Sequence, residues 1–214
     1  MIENFFVLGS YNSGTNWIYN LLKINTKTEN HVHIGGFVDD RGDIQQQWKH
    51  ALPGDVLLSQ QKLLVVYVIK PFEAWWCSMI NRSHQLKFKP NGWVESGATS
   101  TGWMHDVYCD AITRTVNKLQ KYQKHYIVAR TDMLQSTSGI NLLDFIRKRT
   151  DMLKEHNETI DCWVGHGGPK PEISKVWNAK QHKIKTPYPM EYELTREVNT
   201  LLDQLNDEFI SSFK

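Results

Sequence analysis

Residues 63–69, LLVVYVI, constrain the fold of this chain more than any other stretch. The run is apolar throughout and rich in β-branched side chains. A strand with one wet face alternates apolar and polar residues, whereas a run without a polar member suits a strand covered on both faces. That environment is the interior of a parallel sheet with helices packed on either side.

The rest of the chain is consistent with such a sheet. Residues 5–9 read as a short buried strand. Residues 15–24, TNWIYNLLKI, carry apolar side chains at 17, 18, 21, 22 and 24, which is helical spacing. Residues 55–59 read as a further short strand. Pro71 stands where a first helical residue belongs, with a helix over 72–82. An amphipathic stretch covers about 103–123, and HYIVA at 125–129 is the fourth strand candidate. Helices over 139–153 and 191–213 complete the set. Strands alternating with helices predict an α/β fold with a central, mainly parallel sheet flanked by helices. Residues 84–102 and 161–190 are rich in turn-forming residues and read as loops around the mouth of a site. At 214 residues the chain is expected to form a single domain over 1–214.

Composition narrows the function classes. With 25 basic and 23 acidic residues the chain has no basic excess of the kind that binds nucleic acid. Three cysteines, Cys77, Cys109 and Cys162, are too few and too scattered for a disulfide framework. The N-terminus lacks the pattern of a signal peptide. No apolar stretch is long enough to span a bilayer. A reducing, cytoplasmic setting is therefore expected.

Three short stretches carry candidate chemistry. The first is GSYNSGTNW, residues 9–17. Gly9 and Gly14 stand five apart, as in a phosphate-binding loop, but Thr15 and Asn16 replace its Lys and Ser/Thr. Backbone N–H groups in such a turn, aided by the start of the following helix, can hold a phosphate. Without the lysine the loop is poorly equipped for γ-phosphoryl transfer. Read alone, Ser13–Asn16 is equally a turn and helix cap. The second stretch is VVYVIKPFEAWWCSM, where Lys70 ends the buried strand and Ser78 lies eight residues on. Lys70 falls at the strand edge where open α/β sheets bind ligands, and both residues suit a second phosphate. Read alone, Lys70 is a solvent-facing strand end and Ser78 a small packing residue. The third is WKHALPGD, residues 48–55, which offers Lys49 and His50. Histidine is the usual general base near neutral pH, but His50 is one of nine in the chain.

In order and spacing over about residues 5–135, these stretches resemble the 3′-phosphoadenosine-5′-phosphosulfate (PAPS)-dependent sulfotransferase family. GSYNSGTNW resembles its 5′-phosphosulfate loop. VIKPFEAWWCSM resembles its 3′-phosphate segment, a strand ending in Arg and then a helix bearing Ser. WKHALP resembles its short Lys-His element, in which the His is the base. YIVARTDMLQ, residues 126–135, is similar to a weakened form of its RYEDLL strand and loop. The resemblance implies a sulfotransferase architecture of the P-loop nucleoside-triphosphate-hydrolase type, with PAPS as donor and 3′-phosphoadenosine-5′-phosphate as product. No metal is implied. It assigns Asn12, Ser13, Gly14, Thr15, Asn16 and Trp17 to the 5′ end of the nucleotide, Lys70 and Ser78 to its 3′-phosphate, and His50 with Lys49 to catalysis. The acceptor would be a small molecule or carbohydrate bearing a hydroxyl or amine.

The chain departs from the family in four places. Asn12 stands where a basic residue usually steadies the leaving phosphate, which leaves that role to backbone N–H groups, Thr15 or Lys49. Lys70 replaces Arg, a point charge in place of a bidentate fork. Arg130 or Thr131 falls where RYEDLL has its aromatic. The family's C-terminal basic loop is not evident, and Lys180, Lys183 and Lys185 are the stand-ins.

Two other readings compete. A nucleotide kinase or phosphotransferase would need the missing loop lysine and a carboxylate for magnesium. A non-catalytic nucleotide-binding relative would accommodate Asn12 and Lys70 but has no use for His50. Among other clusters, His31 and His33 read as a polar turn lacking further metal ligands, with the acceptor pocket as an alternative place for them. His105 and Cys109 lie four apart on a helix. Trp75 and Trp76 read as helix packing. Trp93 and Trp103 flank a loop, where aromatics can stack on flat or sugar ligands.

Overall fold

The computed structural model describes residues 2–10, 13–38, 44–46, 50, 52–72, 75, 101–122, 125–131, 139–158, 164–165, 168–169 and 200–201. It is an α/β fold built on a four-stranded, all-parallel sheet in the order β2-β1-β5-β6. The strands are β1 (Asn4–Gly9), β2 (Val32–His33), β5 (Leu63–Ile69) and β6 (Tyr126–Arg130). Two small antiparallel pairs lie outside it: β3 (Gly36–Val38) with β4 (Ile44–Gln46), and β7 (Val164–Gly165) with β8 (Gly168–Pro169).

The seven-residue apolar run is β5, and every one of its residues is buried. Side chains alternate between the two faces of the sheet. Phe6, Leu8, Val65, Tyr67 and Ile69 pack on one side with Leu57, Leu58, Phe72, Trp75 and residues of α3 (Thr101–Tyr122). Phe5, Val7, Leu64, Val66 and Val68 pack on the other with α1 (Thr15–Asn25) and α4 (Ile140–Arg147). An alternating pattern could not have filled both layers.

The most direct correction concerns residues 55–59, expected as a strand. Asp55–Leu58 form a short helix, α2. Leu58 N–H donates to Gly54 O at 3.1 Å and Ser59 N–H to Asp55 O at 2.9 Å, the i to i−4 bonds of a helical turn. Leu57 and Leu58 are buried while Val56 is exposed. Lys118 of α3 locks the turn in place with Nζ 2.7 Å from Asp55 Oδ1 and 2.9 Å from Pro53 O. Three apolar residues in a row do not distinguish one helical turn from a strand.

Other boundaries moved less. The helix expected over 139–153 ends at Arg147. Residues 150–158 instead run back along the end of α1, where Thr26 and Leu153 form an isolated bridge. The segment 161–190, expected as a loop, contains the β7–β8 pair. His33 lies in β2, not in a turn, and Trp103 lies in the first turn of α3. Cys109 is buried in the core. Phe72 and Trp75 are helical, as are Thr200 and Leu201, but most of the helices expected over 72–82 and 191–213 lies outside the described residues. So do Trp76, Trp93, Cys77 and Cys162.

Among the groups that hold the strap after α4, which include Arg147 bonded to Lys154 O and Asn157 Oδ1, one side chain is fully enclosed. Asn25 is fully buried. Its Nδ2 donates to Leu21 O and Glu158 O, and its Oδ1 accepts from Glu158 N–H, each at 2.8 Å. Asn25→Leu removes both partners of the Glu158 backbone at once. We expect a loss of about 1–3 kcal/mol, the cost of leaving buried polar groups unpaired, read as a lower urea midpoint. An unchanged midpoint would mean that the Asn25–Glu158 bonds contribute no net stability.

Candidate functional site

The chain passes from β1 through α1 to β2 on one side, then returns to lay β5 on the other side of β1. The strand order therefore reverses between β1 and β5. In open α/β sheets the crevice beyond the carboxyl ends of two such strands is where ligands bind. Gly9 pairs with Val68, and Val68 with Ala129, so β1, β5 and β6 all end within one residue of a common row. Ser10, Lys70 and Thr131 are the first residues beyond them.

Gly9 is required by close approach. A Cβ built on it would lie 2.6 Å from Val68 O, 2.6 Å from Ser13 Oγ and 2.7 Å from Thr15 Cγ2. The chain then turns back: Ser13 donates to Ser10 O through its N–H at 3.2 Å and its hydroxyl at 2.7 Å. Gly14 follows at φ +97°, a left-handed conformation that favours glycine. Its carbonyl accepts from Trp17 N–H at 3.0 Å and Ile18 N–H at 3.1 Å, which starts α1. Among the described residues no side chain caps this N-terminus. Ser13 and Thr15 are buried, and Thr131 Cγ2 lies 2.9 Å from where a Gly14 Cβ would stand. The turn is thus a tight N–H-bearing corner at the positive end of an 11-residue helix, wedged against the ends of β5 and β6.

Lys70 is 2% exposed, so a solvent-facing strand end does not describe it. The backbone around it is pinned from two sides. Tyr108 of α3 donates its hydroxyl to Lys70 O at 2.6 Å, and Thr131 Oγ1 donates to Ile69 O at 3.1 Å. Phe72, Trp75 and Tyr108 pack alongside, with ring centroids 5.1–6.1 Å apart. Neither Tyr108 nor Thr131 was identifiable beforehand as a support for this strand end, because neither is near it in sequence.

His50 joins the same edge. Its Nδ1 lies 2.6 Å from the carbonyl oxygen of Gly9, across a separation of 41 residues. Asn16 sits partly exposed in the first turn of α1, where its carbonyl accepts from Asn20 Nδ2 at 2.7 Å. Trp17 is partly buried and packs against the α1–α4 layer beneath the loop, 3.3 Å from the Cβ position of Gly139. Asn12, Lys49 and Ser78 lie outside the described residues, as do Lys180, Lys183 and Lys185.

His31 and His33 bond to residues at the start of β1. His31 Nδ1 contacts Glu3 O at 2.6 Å and His33 Nε2 contacts Asn4 Oδ1 at 3.1 Å. β1 spans six residues, so at about 3.3 Å each its two ends are roughly 17 Å apart. Both histidines bond to the start of β1, although His33 itself pairs with Phe6, three residues and about 10 Å before Gly9. Burial lowers the proton affinity of His33 and the neighbouring His31 lowers it further, against an opposing bond to the Gly36 backbone. A folded state that resists a proton is destabilised once the unfolded chain can take one up. Stability is then fully present above the unfolded value, about 6.5, and declines as pH falls below it. We expect His33→Gln to flatten the dependence of the urea midpoint between about pH 7 and 5. The same slope in both proteins would remove His33 from the acid response.

Among the described residues no group of three or more His, Cys, Asp or Glu is placed to hold a metal ion, and no helix is long and apolar enough to cross a membrane. No protein-family model matches the chain, and no curated protein matches it.

Proposed function

We propose that this chain is a PAPS-dependent sulfotransferase that moves a sulfuryl group to a hydroxyl or amine acceptor. The observation that carries this reading is the hydrogen bond from His50 to Gly9, which joins a base to the root of the loop that turns into the start of α1. A buried lysine at the adjoining strand end supports it. A site that only binds a nucleotide needs the loop and the cation but has no need of the base. The residues fit the donor chemically: the corner at Ser13–Asn16 suits the 5′-phosphosulfate, and Lys70 suits the 3′-phosphate.

His50 takes the proton from the acceptor atom as that atom bonds to sulfur. The donor, when bound, supplies the sulfuryl group, and its sulfur–oxygen bond to the 5′-phosphate is the one that breaks. The electron pair stays on that phosphate oxygen, where the loop N–H groups and Thr15 oppose the growing charge. Lys70 fixes the register by gripping the other end of the donor. The proton remains on His50 until exchange with water.

Calorimetry with 3′-phosphoadenosine-5′-phosphate, AMP and ATP separates the readings. We expect the bisphosphate to bind and stabilise the fold by mass action, and AMP to bind much more weakly. Equal affinity for AMP would remove the 3′-phosphate site, and preference for ATP would favour phosphoryl chemistry. Lys70→Met keeps the buried stem and removes the charge. It should narrow the gap between the two nucleotides by about 1.5–3 kcal/mol, the worth of a charged hydrogen bond.

A further inference from the structure

A histidine offers one of two nitrogens as a base, and the partner of the other decides which. Nδ1 of His50 lies 2.6 Å from Gly9 O. A carbonyl oxygen only accepts, so the proton of this bond is on Nδ1. In the neutral ring Nε2 is then the basic nitrogen. This is the reverse of the tautomer that free histidine prefers in water, so the setting has to be imposed by the fold.

Gly9 is well placed to impose it. Strand pairing holds Gly9 opposite Val68. Ser13 Oγ, Thr15 Cγ2 and Val68 O crowd the space where its side chain would begin. The direction of its carbonyl is therefore fixed by strand register on one side and by the loop on the other.

We propose that the backbone carbonyl of Gly9 is the positioning group of His50: it holds the ring in the Nδ1–H tautomer and ties its basic Nε2 to the root of the loop at Ser13–Asn16. His50 and the loop then move as one unit, and the base stays in register with whatever the loop holds. What the base is for rests on the sulfuryl-transfer reading, but the tautomer and its anchor do not.

The test is nuclear magnetic resonance on the full chain labelled with 15N-histidine and glycine carrying 13C at the carbonyl. A dipolar contact between a histidine Nδ1 and a glycine carbonyl carbon identifies the pair without any substitution, and loss of that signal in His50→Gln confirms the assignment. We expect His50 to show a protonated Nδ1, a bare Nε2 and the contact to Gly9. A bare Nδ1, a rapidly averaging ring or no contact to a glycine carbonyl would overturn the proposal. In Gly9→Ala, where the carbonyl has to move, the His50 signals should shift toward the averaged value. An unchanged Nδ1–H set in a folded Gly9→Ala protein would overturn Gly9 as the anchor. Sulfate transfer is measured separately: its absence, with the tautomer and contact in place, discards the sulfotransferase reading and leaves this inference standing.

Discussion

His50→Ala is expected to lower single-turnover sulfate transfer by about 10²–10⁴-fold, the usual worth of a positioned base, while donor affinity stays within a few-fold. The base touches the acceptor's proton, whereas the donor is held by the Ser13–Asn16 corner and Lys70. The two measurements must therefore be made on the same preparations, with a broad panel of hydroxyl and amine acceptors. His31→Ala and His33→Ala serve as controls, because their hydrogen bonds run to Glu3 and Asn4 at the far end of the sheet. Full transfer by His50→Ala would end its role as base. No transfer by the unaltered protein on any acceptor, despite tight binding of the bisphosphate, would favour a non-catalytic nucleotide-binding protein, with Asn12 the first residue to restore to a cation.

The parts of this fold that were legible in the sequence are those whose neighbours are water or a uniform apolar layer. LLVVYVI could be read as a doubly covered strand because each face meets a helix layer, so no polar position interrupts it. TNWIYNLLKI could be read because one side of α1 is buried and the other is not. Asp55–Leu58 was misread because a single turn is too short to show a period, and its helix is fixed from outside by Lys118. β2 is only two residues long and pairs with β1 at Phe5 and Phe6 alone, so His33 carries no strand signature. The site divides in the same way. Gly9 and Gly14 stand out by their spacing, whereas His50 and Lys70 are singled out through the family resemblance, because a lone histidine and a strand-end lysine carry no signal by themselves. Their supports stand out in neither way: Tyr108 reaches Lys70 across 38 residues and Thr131 reaches Ile69 across 62, contacts that exist only once the helix and strands are packed. Trp17 has a second role that its place beside the loop did not announce, since its partly buried ring also packs on the layer below.

The same packing makes Gly9 the position least able to accept a side chain. Gly9→Ala places a methyl 2.6 Å from Val68 O, 2.6 Å from Ser13 Oγ and 2.7 Å from Thr15 Cγ2. Ser13 and Thr15 are buried side chains, and their rotation would break the Ser13 hydroxyl bond to Ser10 O. Val68 O is backbone in the centre of the sheet and can retreat only by moving β5, which is paired on both sides. Replacing glycine also stiffens the unfolded chain, which favours folding by about 0.4–1 kcal/mol. Overpacking a core costs about 1–3 kcal/mol, with the upper end applying where backbone must shift. The clash therefore wins, and we expect a net loss of about 2 kcal/mol. For a chain of this size that lowers Tm by roughly 4–8 °C. The loss should come with a weaker response to the bisphosphate, because the strand end, the Ser13 turn and the start of α1 all move together. Gly14→Ala meets Thr131 Cγ2 and a left-handed φ but no strand backbone, so it should disturb ligand binding more than Tm. A Gly9→Ala protein with unchanged Tm and unchanged nucleotide affinity would show that the loop is not braced by the sheet.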